Sequence, residues 1–410
     1  MLCSRVLTVA LHVCAAAALP TKSELKNNTF HILQPPSQDG TGCGLGDDYE
    51  FVVRIPEDGP NEQDMVIEFF GGGGCWNYET CNATTTGFQG ETTRYWISFN
   101  AVAAAKTFLG DRVTLCKLPL LGDGIWDFCR EDNPYRTWTY VSLPYCTGDQ
   151  HLGSNIATYP DGNGSAMQVR HLGALNVDSV LRWAKQEFPA LQRIHVIGES
   201  AGGWAVFAWT RQIALRWPIA TVSGWSDSAL HLLCPGEVCH QTLPIVDRAW
   251  NATNPLVASQ SSYWSAEALQ KPDWNLGSYM AEALESLGGR MSFGLFTRSE
   301  DSDQKLYWSL FGGLPGDWST GMVAMVRDME SRLPPAFLRT YIASGSSHGM
   351  HRSDDLWTME HQGVRFIDWL GNLSSCSFPL ENMRVWDPSV GSPANYTGNA
   401  ADYTCNGQST

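Results

Sequence analysis

Basic residues are scarce in this chain: 27 Lys plus Arg stand against 42 Asp plus Glu, a net charge of −15. That balance argues against a general nucleic-acid binder, which needs a basic footprint, and disfavours docking on anionic lipid. A polyanionic substrate is also repelled at long range unless the cleft differs from the net field. Charged residues make up only 17 % against 43 % apolar, which excludes a mostly disordered chain. No stretch reaches ~20 apolar residues, so no membrane span is expected. No repeat of about 20–50 residues and no low-complexity linker divides the chain.

The first residues read as a secretory signal. Arg5 precedes an apolar run over 6–18, and Ala16-Ala17-Ala18 supplies small residues for cleavage, so 1–18 reads as a signal peptide. Cys3 and Cys14 leave with it. Ten cysteines remain, an even number that fits five disulfides in an oxidising compartment. Cys75/Cys81 and Cys234/Cys239 are close enough to close small loops. Spacing does not pair Cys43, Cys116, Cys129, Cys146, Cys376 and Cys405. Cys234-x4-Cys239-His240 is the nearest approach to a zinc motif, but it lacks a second ligand pair. Six sequons, at Asn27, Asn82, Asn163, Asn251, Asn372 and Asn395, agree with secretion. The 17 Trp fit core packing at least as well as a carbohydrate or acyl surface.

Residues 19–48 are polar and turn-rich and read as an N-terminal arm. Strand-like runs cover 51–55, 65–70, 137–145, 194–197, 219–224, 291–296 and 337–343. Helical spacing covers 165–188, 203–217 and 363–370, with Pro189 and Pro218 as stops. This alternation predicts an α/β fold with a mostly parallel sheet and helices on both faces. Residues 49–372 form the expected catalytic domain. Within it, 240–290 break the rhythm and read as a cap. A tail over 373–410 is expected to be disulfide-linked.

Gly198-Glu199-Ser200-Ala201-Gly202 matches Gly-x-Ser-x-Gly, and so does Gly345-Ser346-Ser347-His348-Gly349. Context separates them. A nucleophile elbow needs a strand before it and a helix after it, with small neighbours in a very tight turn. Ser200 has both flanks, whereas Ser347 is followed by loop. The helix after Ser200 also brings its positive dipole end and the Ala201 N–H to the reacting atom. Four glycines at 71–74 follow a predicted strand and let backbone N–H groups approach a substrate, as in the oxyanion loop of α/β-hydrolases. A phosphate loop would end in Lys-Ser/Thr, which is missing here.

In that fold the chain order is Ser, acid, His. His31, His151, His171 and His195 precede Ser200, and His231 and His240 come too early. His361 lies among helix-like residues. His348, in the loop after 337–343, is the expected base, with His351 its near rival. Asp301 and Asp303 both follow the strand over 291–296, and spacing leaves them nearly equal. Asp227 occupies an occasional acid position, and Asp149 is out of order.

Taken together, these residues resemble the pectin acetylesterase/Notum family of secreted carboxylesterases. The likeness rests on Phe70 to Trp76 with Thr80-Cys81, on Pro144-Tyr145-Cys146-Thr147-Gly148-Asp149 with His151 and Gly153, and on Gly173 with Asn176. It extends to Gly198 to Gly203, Asp301 to Gln304 and Gly345 to His348. The resemblance implies an α/β-hydrolase fold, a Ser200/Asp301/His348 triad and no metal or other cofactor. Asp301 is selected because the family's acid stands three residues before a Gln, here Gln304. Gly72, Gly73 and Ala201 correspond to the family's oxyanion donors. Members usually carry Trp or Tyr just before the loop Cys, where this chain has Gly74.

The expected function is hydrolysis of acyl esters, foremost acetyl, with an acetylated polysaccharide as one substrate class. The net charge favours neutral acetylated sugars, small esters or a partly esterified polymer. A lipid-deacylating, Notum-like carboxylesterase is the alternative within the same chemistry. A secreted binding protein on the same scaffold would have no need of the complete Ser, His and acid set. A glycosidase would need paired carboxylates, a role for which Glu199, inside the tight turn, is ill placed.

Overall fold

A computed structural model describes residues 19–82, 124–230, 237–258, 261–271, 274, 276–287, 290–310, 313, 315–333, 337–361, 363–375 and 383–384. The expected leader, Cys116, Cys376, Cys405 and the Asn395 sequon lie outside them, as do the side chains of Cys234 and Cys239. Strands β1 (Thr29–Leu33), β2 (Phe51–Ile55), β3 (Asp64–Phe69) and β4 (Thr139–Leu143) form one half of the main sheet. A separate hairpin follows, β5 (Asn155–Pro160) and β6 (Ala166–His171). The sheet resumes with β7 (Arg193–Glu199), β8 (Thr221–Asp227), β9 (Met291–Arg298) and β10 (Leu338–Ala343). Two-residue strands β11 (Glu360–His361) and β12 (Val364–Arg365) pair with each other, and β13 (Met383–Arg384) joins the sheet edge.

The sheet order is β1-β2-β4-β3-β7-β8-β9-β10-β13. The β1/β2 and β2/β4 pairs are antiparallel, and every pair from β4/β3 onward is parallel. All six residues of β3 and all eight of β9 are buried, as expected of parallel strands covered on both faces. Alternation along β3 divides the core. Met65, Ile67 and Phe69 pack with residues of helices Gly173–Glu187 and Ala201–Arg216. Val66 faces the other way, toward Trp126, Tyr140, Trp225, Phe366 and Trp369. Helices therefore cover both faces, the α/β-hydrolase arrangement expected from the sequence. Most of the described tryptophans are buried in these two cores.

Two segments differ from the sequence expectation. Residues 165–188 are not one helix: Ala166–His171 is a strand paired antiparallel with Asn155–Pro160, and the helix begins at Gly173. The turn over 161–165 decides this. Asp161 Oδ1 accepts the Asn163 and Ser165 amides at 2.7 and 2.9 Å, with Gly162 and Gly164 at φ 77° and 95°. That is turn chemistry which the apolar spacing masks. Residues 29–33, within the polar arm, add the edge strand β1.

Two disulfides are described in full. Cys75–Cys81 closes the small loop expected, and Cys43 pairs with Cys146, 103 residues away. Cys129 is disulfide-bonded as well. Among the described residues no helix is long and apolar enough to cross a membrane. Four sequon asparagines, Asn27, Asn163, Asn251 and Asn372, are exposed, whereas Asn82 is buried with its amide on Tyr78 Oη at 2.6 Å.

Candidate active site

Ser200 stands between β7 and helix Ala201–Arg216 at φ 56° and ψ −118°, a left-handed conformation strained for any residue but glycine. So sharp a turn forces the strand and helix together. A Cβ at Gly202 would lie 2.0 Å from the Phe69 carbonyl oxygen, so only glycine fits there. The helix ladder starts with Trp204 N–H donating to the Ser200 carbonyl at 3.2 Å, which leaves the Ala201 N–H outside it. The second Gly-x-Ser-x-Gly match behaves differently: Ser347 is exposed in a loop with no helix after it.

The glycine loop passes directly beside Ser200. A Cβ at Gly71 would lie 3.1 Å from Ser200 Cβ and 2.6 Å from the Glu199 carbonyl oxygen. Gly72 and Gly73 then turn at φ 155° and 76°. Among the described residues, the amides of Gly72, Gly73 and Ala201 donate to no protein acceptor. The rest of the loop is fastened. Tyr145 Oη donates to the Gly73 carbonyl at 2.9 Å and accepts Gln150 N–H at 2.7 Å. Tyr307 Oη accepts Gly74 N–H at 3.0 Å, and the Gly148 carbonyl accepts Cys75 N–H at 2.9 Å. Trp250 Nε1 donates to the Cys75 carbonyl at 2.6 Å from the helical segment between β8 and β9.

Behind this loop the Asp149 motif forms a buried polar frame. Asp149 accepts from Thr147 Oγ1, His151 N–H and Gly173 N–H at 2.5, 3.1 and 2.7 Å. Burial raises its pKa to about 6 against the pull of those bonds. His151 Nε2 bonds the Phe70 carbonyl at 2.9 Å, and His171 bridges the Thr147 carbonyl and Tyr159 Oη. Burial lowers both imidazoles to about 4, so they are neutral framework groups. The donor atoms of Cys75, Cys81 and His171 converge, but both sulfurs are in a disulfide and offer no thiolate to a metal.

His348 follows β10 and Asp301 follows β9, and the two meet. His348 Nδ1 lies 2.9 Å from both carboxylate oxygens. Asp301 is fully buried and firmly set. Its Oδ1 accepts the Gln304 and Asp303 amides at 2.9 and 3.1 Å, and its Oδ2 accepts Gln304 Nε2 at 2.9 Å. Gln304 is anchored in turn by Thr297 Oγ1 and by Leu230 N–H. Asp303 is only half-buried, and its Oδ1 takes the Ser302 hydroxyl. The pair that spacing left open is thus separated by contact. Burial opposes a charged His348, but Asp301, Glu199 and Asp303 favour it, and the pKa is raised to about 9.

His351, the rival base, is fully buried among carboxylates. Its Nε2 lies 3.3 Å from Glu68 Oε1 and 3.5 Å from Glu199 Oε2, and its Nδ1 lies 3.4 Å from Asp227 Oδ2. The functional groups that the sequence did not signal are those holding the site from outside its motifs, namely Tyr307, Trp250 and Glu68. Glu68 sits inside an apolar strand run, where no pattern marks it.

No protein-family model and no curated protein matches this chain. Among solved structures it is similar to a crystal structure of the Wnt deacylase Notum from Drosophila, with a TM-score of 0.58 and 16 % sequence identity. That match covers 87 % of this chain and 96 % of the other. At this identity the likeness is one of fold: the chain shares the α/β-hydrolase architecture of a deacylase.

Proposed function

We propose that the protein is a secreted serine carboxylesterase acting through Ser200, His348 and Asp301. The observation that carries this reading is an imidazole whose Nδ1 is held by a buried carboxylate, in a chain that also holds a serine in a strained strand-to-helix turn beside the glycine loop. In the reaction, Ser200 Oγ attacks the ester carbonyl and His348 Nε2 takes its proton. Asp301 fixes the tautomer and stabilises the imidazolium. The Gly72, Gly73 and Ala201 N–H groups, which donate to no acceptor among the described residues, stabilise the oxyanion. His348 returns the proton to the leaving alcohol. It then activates the water that releases the acid and restores Ser200. Disulfides, sequons and the leader support secretion.

Acetyl esters are the favoured substrates, with an acetylated neutral polysaccharide as the natural class. Fold likeness to a Wnt deacylase favours a second reading, a deacylase for longer acyl groups. Hydrolysis of p-nitrophenyl esters from acetyl to palmitoyl tests both. A peak at acetyl supports the deacetylase, and a peak at octanoyl or beyond supports the second reading. A protein with no esterase activity at any length and no labelling by a fluorophosphonate probe is a binder, not an esterase.

The pH profile is expected to be alkaline. A general base must be neutral to accept a proton, and although burial lowers the His348 pKa, the neighbouring carboxylates outweigh it and raise it from 6.5 to about 9. Below that value kcat/KM should climb about tenfold per pH unit, with the acid limb well above that of an unperturbed imidazole. A limb centred at ordinary imidazole values would mean that the neighbouring carboxylates do not raise the base, and a limb that survives His348→Ala would mean that His348 is not the base.

A further inference from the structure

Asp227, the last residue of β8, takes no part in the steps above, yet it bonds to both halves of the site. Its backbone carbonyl accepts Ser200 N–H at 2.8 Å. Its Oδ2 accepts the amides of Met350 and His351 at 2.7 and 3.0 Å. Its Oδ1 accepts the Ser228 hydroxyl at 3.0 Å, and Ser228 Oγ in turn accepts Gly349 N–H at 3.2 Å. The three amides that follow His348 therefore all hang on Asp227 and its neighbour. Both side chains are fully buried. Resting on the roles proposed for Ser200 and His348, we infer that Asp227 is a positioning residue that sets the base loop against the nucleophile turn.

The alternative role for Asp227, the acid of the triad, is closed by contact. Its oxygens are taken by the loop amides and by Ser228, while His348 Nδ1 is held by Asp301. The charges around Asp227 pull the same way as its hydrogen bonds. His351 faces Asp227, Glu68 and Glu199, and Arg352 Nε lies 3.3 Å from Glu199 Oε2. Glu68 is itself held by Trp126 Nε1 and Ser142 Oγ. A Cβ at Gly349 would lie 2.2 Å from Glu199 Oε1, so the loop rests directly on the residue beside Ser200. Residues 349–352 thus reach the residues beside Ser200 through backbone amides and through the side chains of His351 and Arg352 at once. Sub-ångström errors in the placement of His348 are what this brace prevents.

Asp227→Asn and Ser228→Ala, made in the full chain, test the inference. Asp227→Asn is expected to lower kcat about 10²-fold. KM should stay within about threefold, since no substrate contact is lost. The acid limb of kcat/KM should move to lower pH, because a loosened loop weakens the hold of Asp301 on His348, with Glu199 and Asp303 the other carboxylates acting on that imidazole. Ser228→Ala, which removes one acceptor, should lower kcat about tenfold with the same pH displacement. If Asp227→Asn does not fold, Ser228→Ala carries the same three readouts. Folded variants with wild-type kcat, or with kcat lost and the acid limb unmoved, would overturn the inference. If wild-type hydrolysis does not depend on Ser200, the esterase reading fails and the inference falls with it. If hydrolysis depends on Ser200 and neither variant changes it, only the inference fails.

Discussion

Ser200→Ala is expected to lower ester hydrolysis by about 10⁴- to 10⁶-fold, the range found when a triad serine is removed. That range corresponds to about 5–8 kcal/mol of lost barrier reduction. The substitution deletes one oxygen from a buried turn whose backbone is fixed by the Asp227 carbonyl and by the close approach of Gly202 to Phe69. Folding should therefore be unaffected, and circular dichroism and melting temperature should match the wild type. A residual rate over water is expected, because the Gly72, Gly73 and Ala201 amides still polarise a bound carbonyl. Secreted, folded Ser200→Ala protein that keeps even a tenth of the wild-type rate would remove the acyl-enzyme from the mechanism.

The paired test of the acid is nearly as severe. Asp301→Asn keeps the volume and one oxygen for the Gln304 and Asp303 amides, but it presents an amide NH₂ toward His348 Nδ1. The imidazole then adopts the tautomer with its proton on Nε2, so that this nitrogen is a donor and cannot take a proton from the proposed nucleophile. A loss of about 10⁴-fold in kcat is expected. Asp303→Asn should stay within about threefold, since a partly exposed carboxylate acting at a distance is screened by solvent. Rates measured side by side decide the matter. Comparable losses in both variants, or a loss at Asp303 alone, would contradict the contact between His348 and Asp301.

What could be read in the sequence follows the range of the interactions. The Ser200 turn is legible because its geometry is local: strand, three small residues and helix lie within about a dozen positions. The parallel strands are legible as short apolar runs. Asp301 and Asp303 could not be separated by spacing, since only the folded chain shows which carboxylate the first amides of the following helix hold. The resemblance made that choice through Gln304, whose side chain bonds Asp301 Oδ2. The hairpin at 155–171 was hidden because Val169 and Leu172 also fit a helical period, while the turn signal lay in Asp161, Gly162 and Gly164. Cys43–Cys146 and the His351 cluster join elements distant in sequence, and no local pattern encodes them.

The backbone of Ser200 has an evolutionary consequence. A serine held at φ 56° and ψ −118° costs the folded state about 1–3 kcal/mol that glycine would not. Ser200→Gly would thus be among the simplest routes to a more heat-resistant chain. A lineage that used this scaffold only to hold a ligand would have had every reason to drift there, since nothing in binding opposes the gain. Only catalysis opposes that change, because the strained turn is what sets the Ser200 side chain beside the glycine loop. Heat-selected variants of this protein should therefore accumulate changes elsewhere when activity is also demanded, and at position 200 when it is not.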